Sequence, residues 1–195
     1  MQSGFLIQRN AEGTIMTSKD LKIALGPSQS LRKESEEVSE EEFGEELDKH
    51  MDNMLVKMFE LNGVGLAGVQ VGDHRRILVI DAGSGPVKIV NPEILEPSEE
   101  KVTYTEGCLS LPGLRLDVER SKYVKLKYFT PFGEAKEGVF PDIHAAIIQH
   151  EIDHLNGKTL LDKASWIKRD RYTKKLKKKK RMHKRLLKEM ARHGY

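Results

Sequence analysis

The stretch "IIQHEIDHLNG", Ile147 to Gly157, places His150, Glu151 and His154 in the order His-Glu-x-x-His. Side chains four apart on an α-helix leave the same face, one turn apart. Two imidazoles at that spacing can bind one ion. Glu151 lies about 100° round the helix from His150. From there a carboxylate reaches a metal-bound water without being a ligand, and can act as general base and then general acid. Ile143 and Ile147 precede His150 on the same stripe, so this face points inward. Two core histidines satisfying each other are the plain alternative, but a capped helix carrying the whole motif favours a metal. Asp142 is a suitable N-cap and Gly157 a suitable stop, giving a helix from Asp142 to about Asn156.

Two histidines leave the ion short of a ligand. The position three beyond Gly157 is Leu160, which cannot ligate, and Glu189 lies in a lysine-rich tail. Upstream, Cys108 stands in "TEGCLSLPG", a glycine-punctuated loop after a strand-like run. A thiolate with two imidazoles makes a tetrahedral set with a fourth position open. An inert buried thiol is the competing reading of Cys108.

Outward from this helix, "SEEEFGEELDKHMDNMLVKMFELNG" reads as a long amphipathic helix. Ser39 and Glu42 form a capping box. Phe43, Leu47, Met51, Met54, Met58 and Leu61 make its apolar stripe, and Asn62-Gly63 ends it. Strand-like runs follow at Arg76–Asp81, Val87–Asn91, Lys101–Thr105, Leu114–Glu119, Tyr123–Phe129 and Lys136–Phe140, separated by turn residues. A last helix begins near Lys163. The order helix, strands, helix, helix predicts an α+β domain.

At 195 residues and 38% hydrophobic, the chain suits one domain. It has no apolar run of about 18 residues, so no membrane span is expected. Its one cysteine accords with a reducing, cytoplasmic setting, and residues 1–20 make a poor transit peptide, with Glu12 and Asp20 acidic. The net charge of +3 hides a separation of sign. Residues 166–195 hold 14 Lys/Arg against 2 Asp/Glu, and the first 165 hold 19 against 28. The organisation expected is an N-terminal extension at 1–19, a catalytic domain at 20–165 and a basic helix at 166–195. Leu176, Met182, Leu186, Leu187 and Met190 give that helix a thin apolar stripe. Such a tail suits a polyanionic partner.

Three segments together resemble the signature motifs of peptide deformylase: "GVGLAGVQVG" at 63–72, "EGCLS" at 106–110 and "QHEIDHLNG" at 149–157. "GPSQSLR" at 26–32 resembles the family's N-terminal Pro-x-x-x-Leu-Arg. The resemblance spans about residues 20–165. It implies small antiparallel sheets around a central metal-binding helix, followed by a long C-terminal helix. It implies removal of the formyl group from the N-terminal formyl-methionine of nascent polypeptides. Cys108, His150 and His154 would hold one Fe²⁺, replaceable by Ni²⁺, Co²⁺ or Zn²⁺. Glu151 would be the acid/base, with Gln70 and the Leu109 amide as oxyanion donors. Val64, Gly65, Glu106, Gly107, Ile143, Ala146 and Ile147 would line the substrate site, with Glu106 paired to Arg115. The departures are Gly68, where the family has Ala, and Val69, where Pro is common. They are expected at most to loosen the loop. Similar basic tails dock such enzymes on the ribosome, which makes Lys174, Lys175, Lys177, Lys178 and Arg181 the ribosome-binding candidates of a cytoplasmic monomer.

Overall fold

The structure, a computed structural model, describes residues 21–192. Within the last helix the side chains at 180, 183, 184, 186–188, 190 and 191 are not described. The expected extension at 1–19 and the stripe residues Leu186, Leu187 and Met190 therefore lie outside the described residues.

The acidic run at 39–46 divides in two. Ser39 N–H donates to Glu42 Oε2 at 2.9 Å, as the capping box requires. The box closes a separate 3₁₀ turn, Glu40–Glu42, and not the long helix. Gly44, at φ 136°, then turns the chain through a region that side chains rarely adopt, and α1 runs Glu45–Glu60. Leu47, Met51, Met54 and Met58 are buried, whereas Leu61 falls in the cap and is exposed. Asn62, at φ 54°, supplies the left-handed residue of the stop, and Gly63 N–H bonds back to Met58 O at 2.9 Å.

Five strands form one antiparallel sheet in the order β1-β2-β3-β6-β7, comprising Gly65–Ala67, Ile77–Ile80, Val87–Pro97, Tyr123–Phe129 and Ala135–Pro141. The other two, β4 (Lys101–Glu106) and β5 (Leu116–Ser121), pair as a ribbon. β3 runs six residues past the expected Asn91. Asn91-Pro92 reads as a strand breaker, but here Asn91 adopts φ 48° and the register shifts between Val90 and Glu93. The irregularity accommodates the proline inside the strand.

Two helices sandwich this sheet. Alternate residues of β2 face opposite ways. Ile77 and Val79 pack with Met51, Met54 and Met58 of α1. Leu78 and Ile80 pack with Ile148, Ile152 and Leu155 of α2, which spans Asp142–Leu155. Both faces of β2 are buried, which explains its unbroken "ILVI". Asp142 opens α2 at φ 49° but makes no side-chain cap; its N–H donates to Lys122 O at 2.6 Å. Gly157, at φ 66°, ends α2, with Lys158 N–H reaching Asp153 O at 2.8 Å.

A third cluster joins Leu111, Leu114, Leu116 and Val118 to Leu160, Leu161 and Tyr172. Tyr172 belongs to α3, Trp166–Arg192, and its hydroxyl donates to Pro112 O at 3.3 Å. Leu176 packs on the same cluster. The described side chains beyond it are exposed, Met182 included. Among the described side chains, the apolar stripe of the tail docks only at its start.

Candidate active site

α2 turns His150, Glu151 and His154 inward, each at least nine-tenths buried. Cys108 arrives from the turn between β4 and β5, where Leu111 N–H bonds to Cys108 O at 3.0 Å. Its Sγ lies 3.2 Å from His154 Nε2. One donor atom each from Cys108, His150 and His154 falls within 4.8 Å of the others. An ion held about 2.3 Å from sulfur and about 2.1 Å from nitrogen fits a donor set so gathered. His150 Nδ1 sits 2.8 Å from Glu106 Oε2, which leaves its Nε2 for a metal.

Glu106 is held by Arg120 and not by Arg115. The guanidinium grips it with Nε at 2.6 Å from Oε1 and Nη2 at 3.0 Å from Oε2, while Nη1 reaches Asp153 Oδ2 at 2.7 Å. The reason is strand alternation. Glu106 faces Leu116 across the ribbon, and Leu116, Val118 and Arg120 point inward while Asp117 and Glu119 point out. Arg115 precedes the strand, is exposed, and stands at the cavity edge. Burial raises the Glu106 carboxyl, but the His150 and Arg120 hydrogen bonds outweigh it and hold the carboxyl well below its ordinary value.

Burial sets the direction for Glu151 and His154. It pushes the Glu151 carboxyl up to about 7, although the neighbouring His150 opposes it. Glu151 Oε2 is buried without a hydrogen-bond partner among the described residues. Burial, and then the charge on His150, push His154 down to about 3, so its ring stays neutral and able to donate to a metal. His150 is also lowered by burial, but its hydrogen bonds to Cys108 and Glu106 carry it upward overall.

Gln70 comes from a short 3₁₀ turn, Gly68–Val71, that follows β1. Its Oε1 accepts the Ala67 N–H at 2.8 Å, so its amide nitrogen turns to the site. Gly68 and Val69 are buried, and a Cβ at Gly68 would lie 2.9 Å from Asp73 O. The absence of a side chain at Gly68 lets the main chain pass close to Asp73 O and Arg75 O.

A cleft of about 590 Å³ is lined by Val64, Gly65, Gln70, Glu106, Gly107, Cys108, Leu109, Ile143, Ala146, Ile147, His150 and Glu151. These are the residues the motifs single out, with His154 buried apart from the lining. Tyr104, Thr105 and Leu114 also line it and were not foreseen. Tyr104 was within reach of sequence reasoning, being two residues before Glu106 on the same strand face. Lys174, Lys175, Lys177, Lys178 and Arg181 are exposed on α3, none of them lining the cleft. No described helix is long and apolar enough to cross a membrane.

The chain matches the polypeptide deformylase family model over residues 20–170. It is 44% identical over 168 residues to peptide deformylase 1 of Rickettsia conorii, covering 81% of this chain and 95% of that one. To the peptide deformylase of Thermotoga maritima it is 44% identical over 146 residues, covering 75% and 88%. A crystal structure of a Legionella pneumophila peptide deformylase superposes with a TM-score of 0.76 at 38% identity, over 84% of this chain and 97% of that one. An actinonin-bound class I type b enzyme from Acinetobacter baumannii gives 0.71 at 41% identity, over 74% and 98%. With its model matched over most of its length and its relatives spanned almost end to end, the chain belongs to the polypeptide deformylase family of enzymes.

Proposed function

We propose that the chain deformylates the N-terminal formyl-methionine of nascent polypeptides, with Cys108, His150 and His154 holding one divalent metal ion. One observation carries the reading: the three donors converge near Glu151, whose Oε2 has no hydrogen-bond partner among the described residues, on a cleft wide enough for a peptide end. A metal bound there supplies Lewis-acid polarisation and a nucleophile available at neutral pH. The donor set suits Fe²⁺, which Ni²⁺, Co²⁺ or Zn²⁺ can replace, and availability decides among them.

Glu151 takes the proton from the attacking water and returns it to the departing amine. The formyl carbon gains a C–O bond and loses its C–N bond, releasing formate and a free N-terminus. A carboxyl raised to about 7 is suited to both transfers near neutrality. The Gln70 amide and the Leu109 main-chain N–H stabilise the oxyanion, at about 3 kcal/mol for each donor. Gly65, having no side chain, brings main chain close against Glu151 and Ile147. Ile143, Ala146, Ile147, Val64 and Leu109 receive the methionine side chain, while Glu106 and Gly107 border the peptide path.

The exposed lysines of α3, with Arg181, serve as an electrostatic dock on the ribosome, placing a cytoplasmic monomer where formylated chains emerge. The deciding experiment is formate release from a short N-formyl-methionyl peptide by iron- or nickel-loaded protein, with acetylated and unformylated peptides as controls. Formate from the formylated peptide alone, its peptide bonds intact, is the expected result. Absence of formate from fully metallated protein would refute the reading.

A further inference from the structure

We propose that Ser110 is a positioning residue for Gln70, its buried hydroxyl taking one hydrogen of the Gln70 amide and leaving the other aimed at the reacting carbonyl. The inference rests on the oxyanion role given to Gln70 above. A glutamine amide has one acceptor oxygen and two N–H hydrogens. The Ala67 N–H, 2.8 Å from Oε1, fixes which end is oxygen. Nε2 then lies 3.2 Å from Ser110 Oγ and 3.8 Å from Cys108 Sγ. The hydroxyl is the nearer of the two acceptors, by 3.2 Å against 3.8 Å. The hydrogen towards Cys108 is thus the one a developing oxyanion can claim. Without Ser110 the amide could swing about its last torsion, which is broad for an sp³–sp² bond.

The main chain holds this geometry independently of the hydroxyl. Ala24 N–H donates to Gln70 O at 2.7 Å, and Gly26 N–H donates to Ser110 O at 2.8 Å. One short strap thereby ties the two residues together. Gln70 and Ser110 are 1% and 0% exposed, so bulk water does not replace the lost hydroxyl. Deleting Ser110 Oγ leaves the amide held at its oxygen by the Ala67 N–H, loosens its nitrogen end, and keeps the backbone in place.

The test is a double-mutant cycle with Ser110→Ala and Gln70→Ala on metal-loaded protein, reading kcat, KM and bound metal. Ser110→Ala is expected to lower kcat about tenfold, against roughly 10²- to 10³-fold for loss of an oxyanion donor itself. KM and metal content stay unchanged, and Ser110→Ala costs nothing further in the Gln70→Ala background. Equal losses in both backgrounds, or a loss traceable to missing metal, would overturn the proposal. Near-normal turnover by Gln70→Ala alone would instead remove Gln70 as a donor, and the Ser110 role with it. Ser110→Gly carries the same comparison should the alanine variant not fold.

Discussion

Glu151 is buried with one oxygen that has no hydrogen-bond partner among the described residues, a costly arrangement that folding alone does not reward. Glu151→Ala should therefore keep one metal per chain, measured by elemental analysis, while kcat falls about 10²- to 10⁴-fold. Metal lost together with activity would make Glu151 a structural support of the ligands. Gly65 is the steric counterpart. A Cβ there would collide with Glu151 Oε1 and lie 2.7 Å from Ile147 Cγ2. Gly65→Ala should lower kcat/KM about 100-fold, as an ångström of misplacement does. It should also lower stability by about 1–3 kcal/mol through overpacking, read by kinetics and denaturant melts on one preparation. At this scale the site was largely legible, because helix spacing alone places His150 and His154 together. The partner of Glu106 was not. Arg115 is nearer in sequence, and only the register of β4 on β5 brings Arg120 inward.

Elements joined by local rules were the easier ones to read. Tyr123–Phe129 alternates and emerges as β6, and α2 begins and ends within a residue of its expected bounds. The failures lie where two signals compete. The capping box at Ser39 is real, yet Gly44 outranks it as a helix boundary. Proline hid the second half of β3. Just past the turn carrying Gln70, Asp73 meets His50 of α1, a contact no local pattern encodes. His50 Nε2 lies 3.1 Å from Asp73 Oδ2, and Arg75 Nη2 lies 2.7 Å from the same oxygen. Burial raises the Asp73 carboxyl, but those bonds prevail and set it well below its ordinary 3.8. A depressed carboxylate stabilises the fold above its unfolded value and loses that contribution as pH falls through the folded one. Asp73→Asn should thus cost about 1.5–3 kcal/mol at neutral pH. In urea melts the gap to the parent chain should close as pH drops below 3.8. A gap that widens in acid would contradict the assignment.

At the scale of the molecule, the separation of acidic body from basic tail was plain from residue counts. The seam between them was not, because Tyr172 and Leu176 look like tail but pack on the cluster beside Cys108. A truncation after Leu176 should release formate from short peptides within about twofold of the full chain. It should lose ribosome cosedimentation that otherwise fades steeply between roughly 50 and 200 mM salt. Truncation at 165 should also lower stability, by about 2 kcal/mol or more, for want of the tyrosine. Unchanged cosedimentation after either cut would move the dock elsewhere. The strand β2 has a wider consequence. Since its opposite faces belong to the cores of α1 and α2, neither helix can leave without exposing the other's floor. The candidate ligands His150 and His154 sit on the α2 side, but the free energy of an ion bound there would be shared by both halves. Amide hydrogen exchange at Met51 and Met54, far along the chain from any ligand, should slow when the ion is added. An ion held by those residues would act as a clamp on the cooperativity of the whole fold.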